Sequence, residues 1–418
     1  MNNRSPWLLA LAIISIVAVL AALPACRGVG FLSSAQSGSG SSGSARAIPG
    51  EYTDIYSGIS DKLDAFLRTV EPCGAGSKFK PVYAAELLPA NAHAANQFAI
   101  PAYYSGTIAY IDALRSLGVQ GVKIAANYPI LASDFPNSTV YLNYYRRVVA
   151  ELRKRNMTVL VAVQNLLADS DFTSLKISHA GLTWDKYRKT KREIVETVIR
   201  ELKPDYLTIA NEPSTEAMAT GLRESVADFT ATVQYVLAGL DRRGVLVGAG
   251  AGSWNDAAYV RALAQNTSID YFDLHVYPAD FFPQALTFSD IVRNSGKRLI
   301  IGEAWTYKVR SSELGNLGNM AAQAAVFGRD AFSFWEPLDS RFLEALVSLA
   351  KCKGYEFVSP FWSRYFFGYL DYETLPKGLG YREITRLSNE KATREFSTGR
   401  ATATGQAYQR LIAGVRQP

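Results

Sequence analysis

From about residue 79 onward, short runs of β-branched and aromatic residues alternate with longer segments whose apolar positions recur every three to four residues. The apolar runs predict strands at 80–87 (KPVYAAEL), 121–128 (GVKIAANY), 158–165 (TVLVAVQN), 205–212 (DYLTIANE), 245–250 (VLVGAG), 271–277 (YFDLHVY), 298–305 (RLIIGEAW) and 331–336 (AFSFWE). Helices are predicted between them, among others over 105–117, 140–155, 184–202, 224–240 and 317–327. Eight strand-then-helix units predict an α/β protein with a (β/α)8 barrel, and the stretch from 80 to 336 has the roughly 250 residues that such a barrel needs. An open doubly wound sheet is the rival architecture, but it would want a phosphate loop at its switch point and none is visible. The aromatic tail, 354–418, is expected to form the last βα loop and a closing helix near 407–415.

Ahead of this pattern the chain is different in kind. Arg4 is followed by an apolar run from Trp7 to Ala22 and then by Leu23-Pro24-Ala25-Cys26, which reads as an export signal. Ala25-Cys26 resembles a lipoprotein processing site, so residues 1–26 are either a lipoprotein signal acylated at Cys26, a cleaved signal peptide, or an uncleaved N-terminal helix anchoring the chain. Residues 27–46 carry the Gly/Ser tract SSAQSGSGSSGS, a flexible linker. The expectation is a single catalytic domain over 47–418, secreted or held at a cell surface by a membrane tether, and monomeric.

Composition removes several classes. With 48% hydrophobic and 20% charged residues the chain can bury a large core. It has 44 Lys plus Arg against 38 Asp plus Glu, and its densest basic patch, 186–192 (KYRKTKR), falls in a predicted helix and reads as a solvated face, so no nucleic acid partner is expected. Three His, three Cys and no zinc, P-loop or dinucleotide motif lead us to expect neither metal nor cofactor. Cys73 and Cys352 are either one disulfide or two buried thiols.

In a (β/α)8 barrel the reacting groups come from the C-terminal ends of the strands. The fourth strand ends Asn211-Glu212-Pro213 and the seventh ends Gly302-Glu303, which sets two carboxylates facing each other across the mouth. Glycoside hydrolysis needs that pair: a proton donor for the leaving oxygen, and a nucleophile or base on the opposite face of the sugar. His275 and Tyr277 share one face of the sixth strand. Glu86, ending the first strand, either binds sugar hydroxyls or is a solvated rim charge.

These strand ends, with His275-x-Tyr277 and Trp335 taken as belonging to strand eight, resemble the clan A glycoside hydrolases, most closely the large family five of cellulases and mannanases, over residues 79–337. The resemblance implies a retaining double displacement with Glu212 as acid/base and Glu303 as nucleophile. It also implies Asn211 on the sugar 2-hydroxyl, Tyr277 hydrogen-bonded to Glu303, His275 lining the site and Trp335 beneath the sugar. The family's strand-two Arg is replaced here, the strand offering Lys123 and then Asn127. In place of the His after strand three stand Gln164 and Asn165, which marks the chain as a divergent member of the clan.

Sugar faces are apolar and flat, so aromatics in predicted βα loops, Tyr103, Tyr104, Tyr128, Trp254, Trp305, Tyr307 and Trp362, are candidate cleft residues. The long segment after strand one, with His93 and Phe98, is a candidate wall. The substrate expected from the resemblance is a β-linked glycan of glucan or mannan type. Two alternatives stand beside an endo-acting hydrolase: a catalytically silent surface glycan-binding lipoprotein, and an exo-acting glycosidase or transglycosylase of the same clan.

Overall fold

The computed structural model describes residues 47–414 apart from 169 and 224, so the expected signal and Gly/Ser linker lie outside the described residues. Eight parallel strands close in sequence order: β1 (Val82–Glu86), β2 (Gly121–Ala125), β3 (Thr158–Ala162), β4 (Tyr206–Thr208), β5 (Leu246–Gly252), β6 (Tyr271–Val276), β7 (Arg298–Ala304) and β8 (Phe357–Pro360). The helices are α1 (Thr53–Gly76), α2 (Pro101–Ser116), α3 (Ser138–Lys154), α4 (Trp184–Glu201), α5 (Pro213–Thr220), α6 (Val226–Leu237), α7 (Ala257–Asn266), α8 (Phe282–Asn294), α9 (Met320–Arg329), α10 (Glu336–Lys353), α11 (Tyr381–Ser397) and α12 (Ala403–Ala413). This is the (β/α)8 barrel expected from the hydrophobic pattern. None of the described helices is long and apolar enough to cross a membrane.

One strand lies elsewhere than expected. Residues 331–336 do not form the eighth strand: Ser333–Trp335 is a 3-10 turn and Glu336 opens α10, where Pro337 fills one of the first helical positions. The strand that closes the barrel is Phe357–Pro360, inside the aromatic tail, pairing with both β1 and β7.

Inside the barrel, Val82, Ala84, Leu160, Tyr206, Leu246, Tyr271, Ile300 and Phe357 pack into a plug beneath the mouth, while the larger core fills the space between strands and helices. Gly248 is required by that plug, because a Cβ there would sit 2.3 Å from the Tyr271 ring. Cys73 at the end of α1 and Cys352 at the end of α10 form a disulfide, settling the open alternative and tying the first helix to the one before β8.

Candidate active site

Each expected carboxylate is delivered by local backbone chemistry. Beyond β4 the chain runs Ile209-Ala210-Asn211-Glu212, and Pro213, with its φ already helical and no N–H to lose, starts α5 directly after Glu212. On β7 the register with β6 changes from Asp273↔Ile300 to His275↔Glu303, so three residues of β7 oppose two of β6. Such a bulge shifts side-chain parity, which lets Ile300 join the interior plug while Glu303 still faces the mouth. Gly302 sits in the bulge, its N–H donating to Asp273 Oδ1 at 2.7 Å where a Cβ would collide with that carboxylate.

Glu303 is held from several sides. Tyr277 donates its hydroxyl to Oε1, and Lys123 Nζ donates to Oε2, which also receives Gln164 Nε2 at 3.0 Å. Burial alone would raise the Glu303 pKa, but the charges of Lys123 and His275 and the bonds from Lys123 and Tyr277 outweigh it and draw it down to about 2. Glu303 is therefore an anion throughout the ordinary pH range. Glu212 approaches it through His275, whose Nδ1 lies 2.6 Å from Glu212 Oε1 and 3.9 Å from Glu303 Oε2. Burial would lower the His275 pKa; the charge of Glu303, with Asp273 and Glu212, reverses the sign and raises it to about 10. Asn211 Nδ2 lies 3.3 Å from His275 Nε2.

Glu212, His275 and Glu303 each bring one ligand-type atom to within 4.8 Å of the others, spacing that a metal ion could use. The charges argue for a different use, since His275 held protonated has no lone pair to give and the Lys123 ammonium already stands on Glu303 Oε2. The same spacing suits two carboxylates working on one glycosidic bond, because retaining pairs stand about 5–5.5 Å apart.

Glu86 is not a rim charge. It is fully buried, with Oε2 3.2 Å from Lys123 Nζ and Oε1 accepting from Asn91 Nδ2 at 3.1 Å, so Lys123 bridges it to Glu303. Burial raises the Glu86 pKa to about 7, against the pull of Lys123 and with the push of Glu303. Asn127 is also fully buried at the mouth, with neither amide atom in a hydrogen bond.

Two tryptophans leave the site. Trp335 is fully buried, stacked on Tyr56 of α1 at 5.8 Å, with Nε1 donating to the Arg329 carbonyl at 2.7 Å. Trp305 is fully buried against Phe342 of α10 and Tyr365. Neither can lie beneath a sugar, because both rings are spent on helix packing outside the barrel. The aromatic side chain that follows the true eighth strand and faces inward is Phe361, on the same strand face as Phe357 and with its ring 5.7 Å from Lys123 Nζ and 6.2 Å from Tyr277. Of the other aromatics, Tyr307 and Trp254 reach the mouth, their rings 4.5 and 5.9 Å from that of Tyr277. Tyr103 and Tyr104 belong to α2 and pack on Tyr144 of α3, and Trp362 is buried between Phe327 and the Arg364 guanidinium.

Two positioning residues escaped the sequence reading. Asp273, fully buried below His275, accepts from Thr208 Oγ1 and Gly302 N, both at 2.7 Å. Its alternation with His275 and Tyr277 was the available signal. Glu216 of α5 accepts the Asn211 N–H at 3.1 Å and is itself held by Tyr187 Oη at 2.7 Å and Lys191 Nζ at 2.9 Å. Lys191 is thus fully buried, the exception among the basic residues of the 186–192 patch, whose Lys186 and Lys189 are exposed as a solvated face requires.

No family model and no curated protein matches this chain. Among solved structures it is similar to GH5_18 from Bifidobacterium longum subsp. longum, at 14% identity and a TM-score of 0.54, over 82% of this chain and 80% of that one. A variant of that protein in complex with Manβ1-4GlcNAc is similar at 15% identity and a TM-score of 0.53, over 81% and 80% of the two chains. The exo-beta-1,4-mannosidase Op5Man5 from Opitutaceae bacterium strain TAV5 is similar at 13% identity and a TM-score of 0.51, over 81% of this chain but only 60% of its own length. At such identities the likeness speaks for the fold alone, and that fold is the one the strand-end motifs implied.

Proposed function

We propose that the protein is a retaining glycoside hydrolase acting on a β-linked glycan, with Glu303 as nucleophile and Glu212 as acid/base. The observation that carries this is the pairing of an anionic Glu303 with Glu212 across His275, an oxygen of each within 4.8 Å of the other, close to the spacing a double displacement uses. Glu303 attacks the anomeric carbon while Glu212 gives its proton to the departing glycosidic oxygen. Glu212 then takes a proton from water, whose oxygen displaces Glu303 from the sugar. In this reading Asn211, whose backbone Glu216 holds, binds the 2-hydroxyl, and Phe361 supplies the apolar face beneath the ring that Trp335 cannot. The solved structures similar in fold include a mannosidase and a protein bound to a mannose-containing disaccharide, which supports β-mannosides first and β-glucosides second as substrates. The same reading carries the export signal and linker of residues 1–46, which would deliver the enzyme to a cell surface.

The test is hydrolysis of β-manno- and β-gluco-oligosaccharides by the wild type and by Glu303→Gln, with the anomer of the first product followed by NMR. Retained configuration and a loss of at least about a thousandfold in the variant are expected. An inverted product, or a variant as active as the wild type, would refute the proposal.

A further inference from the structure

The mouth of the barrel is closed on one side. Phe172, in the segment after β3, reaches Phe327 of α9 at 5.4 Å and Tyr381 of α11 at 5.1 Å, elements that follow β7 and β8. Arg382 of α11 donates to the Ser170 carbonyl and to Asp171, both at 2.9 Å. Ser174 donates from its N–H at 2.8 Å and its hydroxyl at 2.7 Å to the carbonyl of His93, in the segment after β1. The segments after β1, β3, β7 and β8 are therefore joined to one another over the ends of β8, β1 and β2. The opposite side, after β5, offers the partly exposed ring of Trp254, 5.9 Å from that of Tyr277. Between the two sides Glu212 and Glu303 keep only 12% and 9% of their side-chain surface.

Under the closed side stand two polar groups without hydrogen-bond partners. Backbone pairing of β2 with β3 continues past Ala125 through Ala126 N→Ala162 O and Tyr128 N→Gln164 O, so Asn127 keeps the strand face of Lys123, the face that meets Glu303. Asn127 offers a donor and an acceptor there, both unmatched. His93 Nδ1 lies 2.8 Å from Asn91 Oδ1, an obligate acceptor, so the proton sits on Nδ1 and the unmatched, buried Nε2 is an acceptor. Burial drives the His93 pKa down to about 4, which keeps it in this neutral form. Leaving such groups buried without partners costs stability, and a ligand's hydroxyls would repay it.

Building on the proposed double displacement, we infer that the enzyme is exo-acting: one sugar at the non-reducing end of the glycan fills the blind side of the mouth, where Asn127 and His93 bind its hydroxyls. The direction follows from the chemistry. While the sugar is esterified to Glu303, the leaving fragment must depart and water must enter, so the fragment lies on the open side and the sugar that stays lies on the closed one. A chain threaded through the mouth would have to pass the Phe172–Phe327 and Ser174–His93 contacts.

The experiment uses manno- and gluco-oligosaccharides of three to six units, with and without a 4,6-O-acetal blocking the non-reducing end, together with the matching aryl β-glycosides. The expected first product is monosaccharide alone, and blocked substrates are inert. Asn127→Ala and His93→Ala each lose about tenfold to a hundredfold in kcat/KM, equally on oligosaccharide and aryl glycoside, because both share the sugar in the blind side. Trp254→Ala loses on oligosaccharides only. Early products of mixed length, or blocked substrates cleaved as fast as free ones, overturn the inference while leaving the retaining hydrolase standing. Absence of hydrolysis of every substrate by the folded wild type removes both.

Discussion

Lys123 and Lys308 are each fully buried between two carboxylates, and they stand on either side of strand β7. Lys123 lies between Glu303 and Glu86 at the barrel mouth, whereas Lys308 lies between Asp339 and Asp330, roofed by the rings of Trp305 and Trp335 and by the Tyr369 hydroxyl on Asp339. The ingredients match, but their surroundings differ. Glu303 keeps 9% of its side-chain surface, while Asp330 and Asp339 keep none. A buried ion pair is weak evidence for stability and no evidence for function in itself. One carboxylate open to an incoming molecule separates the triplet of the proposed reaction from one that only pins α10 and the segment after β7 together.

The comparison can be broken most forcefully at the lysines. Lys308→Met strands Asp339 and Asp330 in an apolar enclosure and should cost about 3–5 kcal/mol of stability, measured as a shift of the denaturant midpoint, with kcat per folded molecule unchanged. If kcat falls instead, the sealed triplet belongs to the site. Lys123→Met should do the reverse. Glu303 retains Tyr277, Gln164 and His275, so folding suffers less, but the proposed nucleophile loses the cation that most lowers its pKa. A fall of about a hundredfold in kcat, or about 2.7 kcal/mol of barrier, is expected, with the acidic limb of the pH profile moving to higher pH.

The same contrast shows what could be read along the chain. Seven strands were legible because apolar β-branched runs ended by polar residues are what a barrel strand needs, and Glu212 and Glu303 stood out as lone charges closing such runs. The eighth was misplaced because AFSFWE has the aromatic density of a strand. Pro337 directly behind it was the contrary signal, opening a helix. Trp305 and Trp335 were misread for a deeper reason: whether an indole faces sugar or core depends on Phe342, Tyr365 and Tyr56, which come from distant parts of the chain. Lys191 was hidden by its company, since a single buried lysine in a basic run is visible only once Glu216 is folded against it.

A pH dependence separates the triplets by sign. Burial, opposed by Lys308 and reinforced by Asp339, raises the Asp330 pKa from 3.8 to about 8, and neither of its oxygens has a hydrogen-bond partner. The folded protein thus holds this proton more tightly than the unfolded chain, so the contribution is fully present below about pH 3.8 and is lost as pH rises through about 8. Glu303, lowered from 4.5 to about 2, behaves in the opposite way: its contribution is present above about pH 4.5 and lost as pH falls through about 2. Asp330→Asn has no proton to lose, so its stability relative to wild type should climb between about pH 4 and pH 8. Glu303→Gln should gain nothing over that window and should fall behind wild type at its lower edge and above. Urea midpoints of the three proteins at pH 4.5, 6 and about 8 decide the matter. A difference between Asp330→Asn and wild type that stays flat across that range would mean Lys308 keeps both of its aspartates ionised, and the sealed triplet would then be an ion pair of the same electrostatic kind as the one at the mouth.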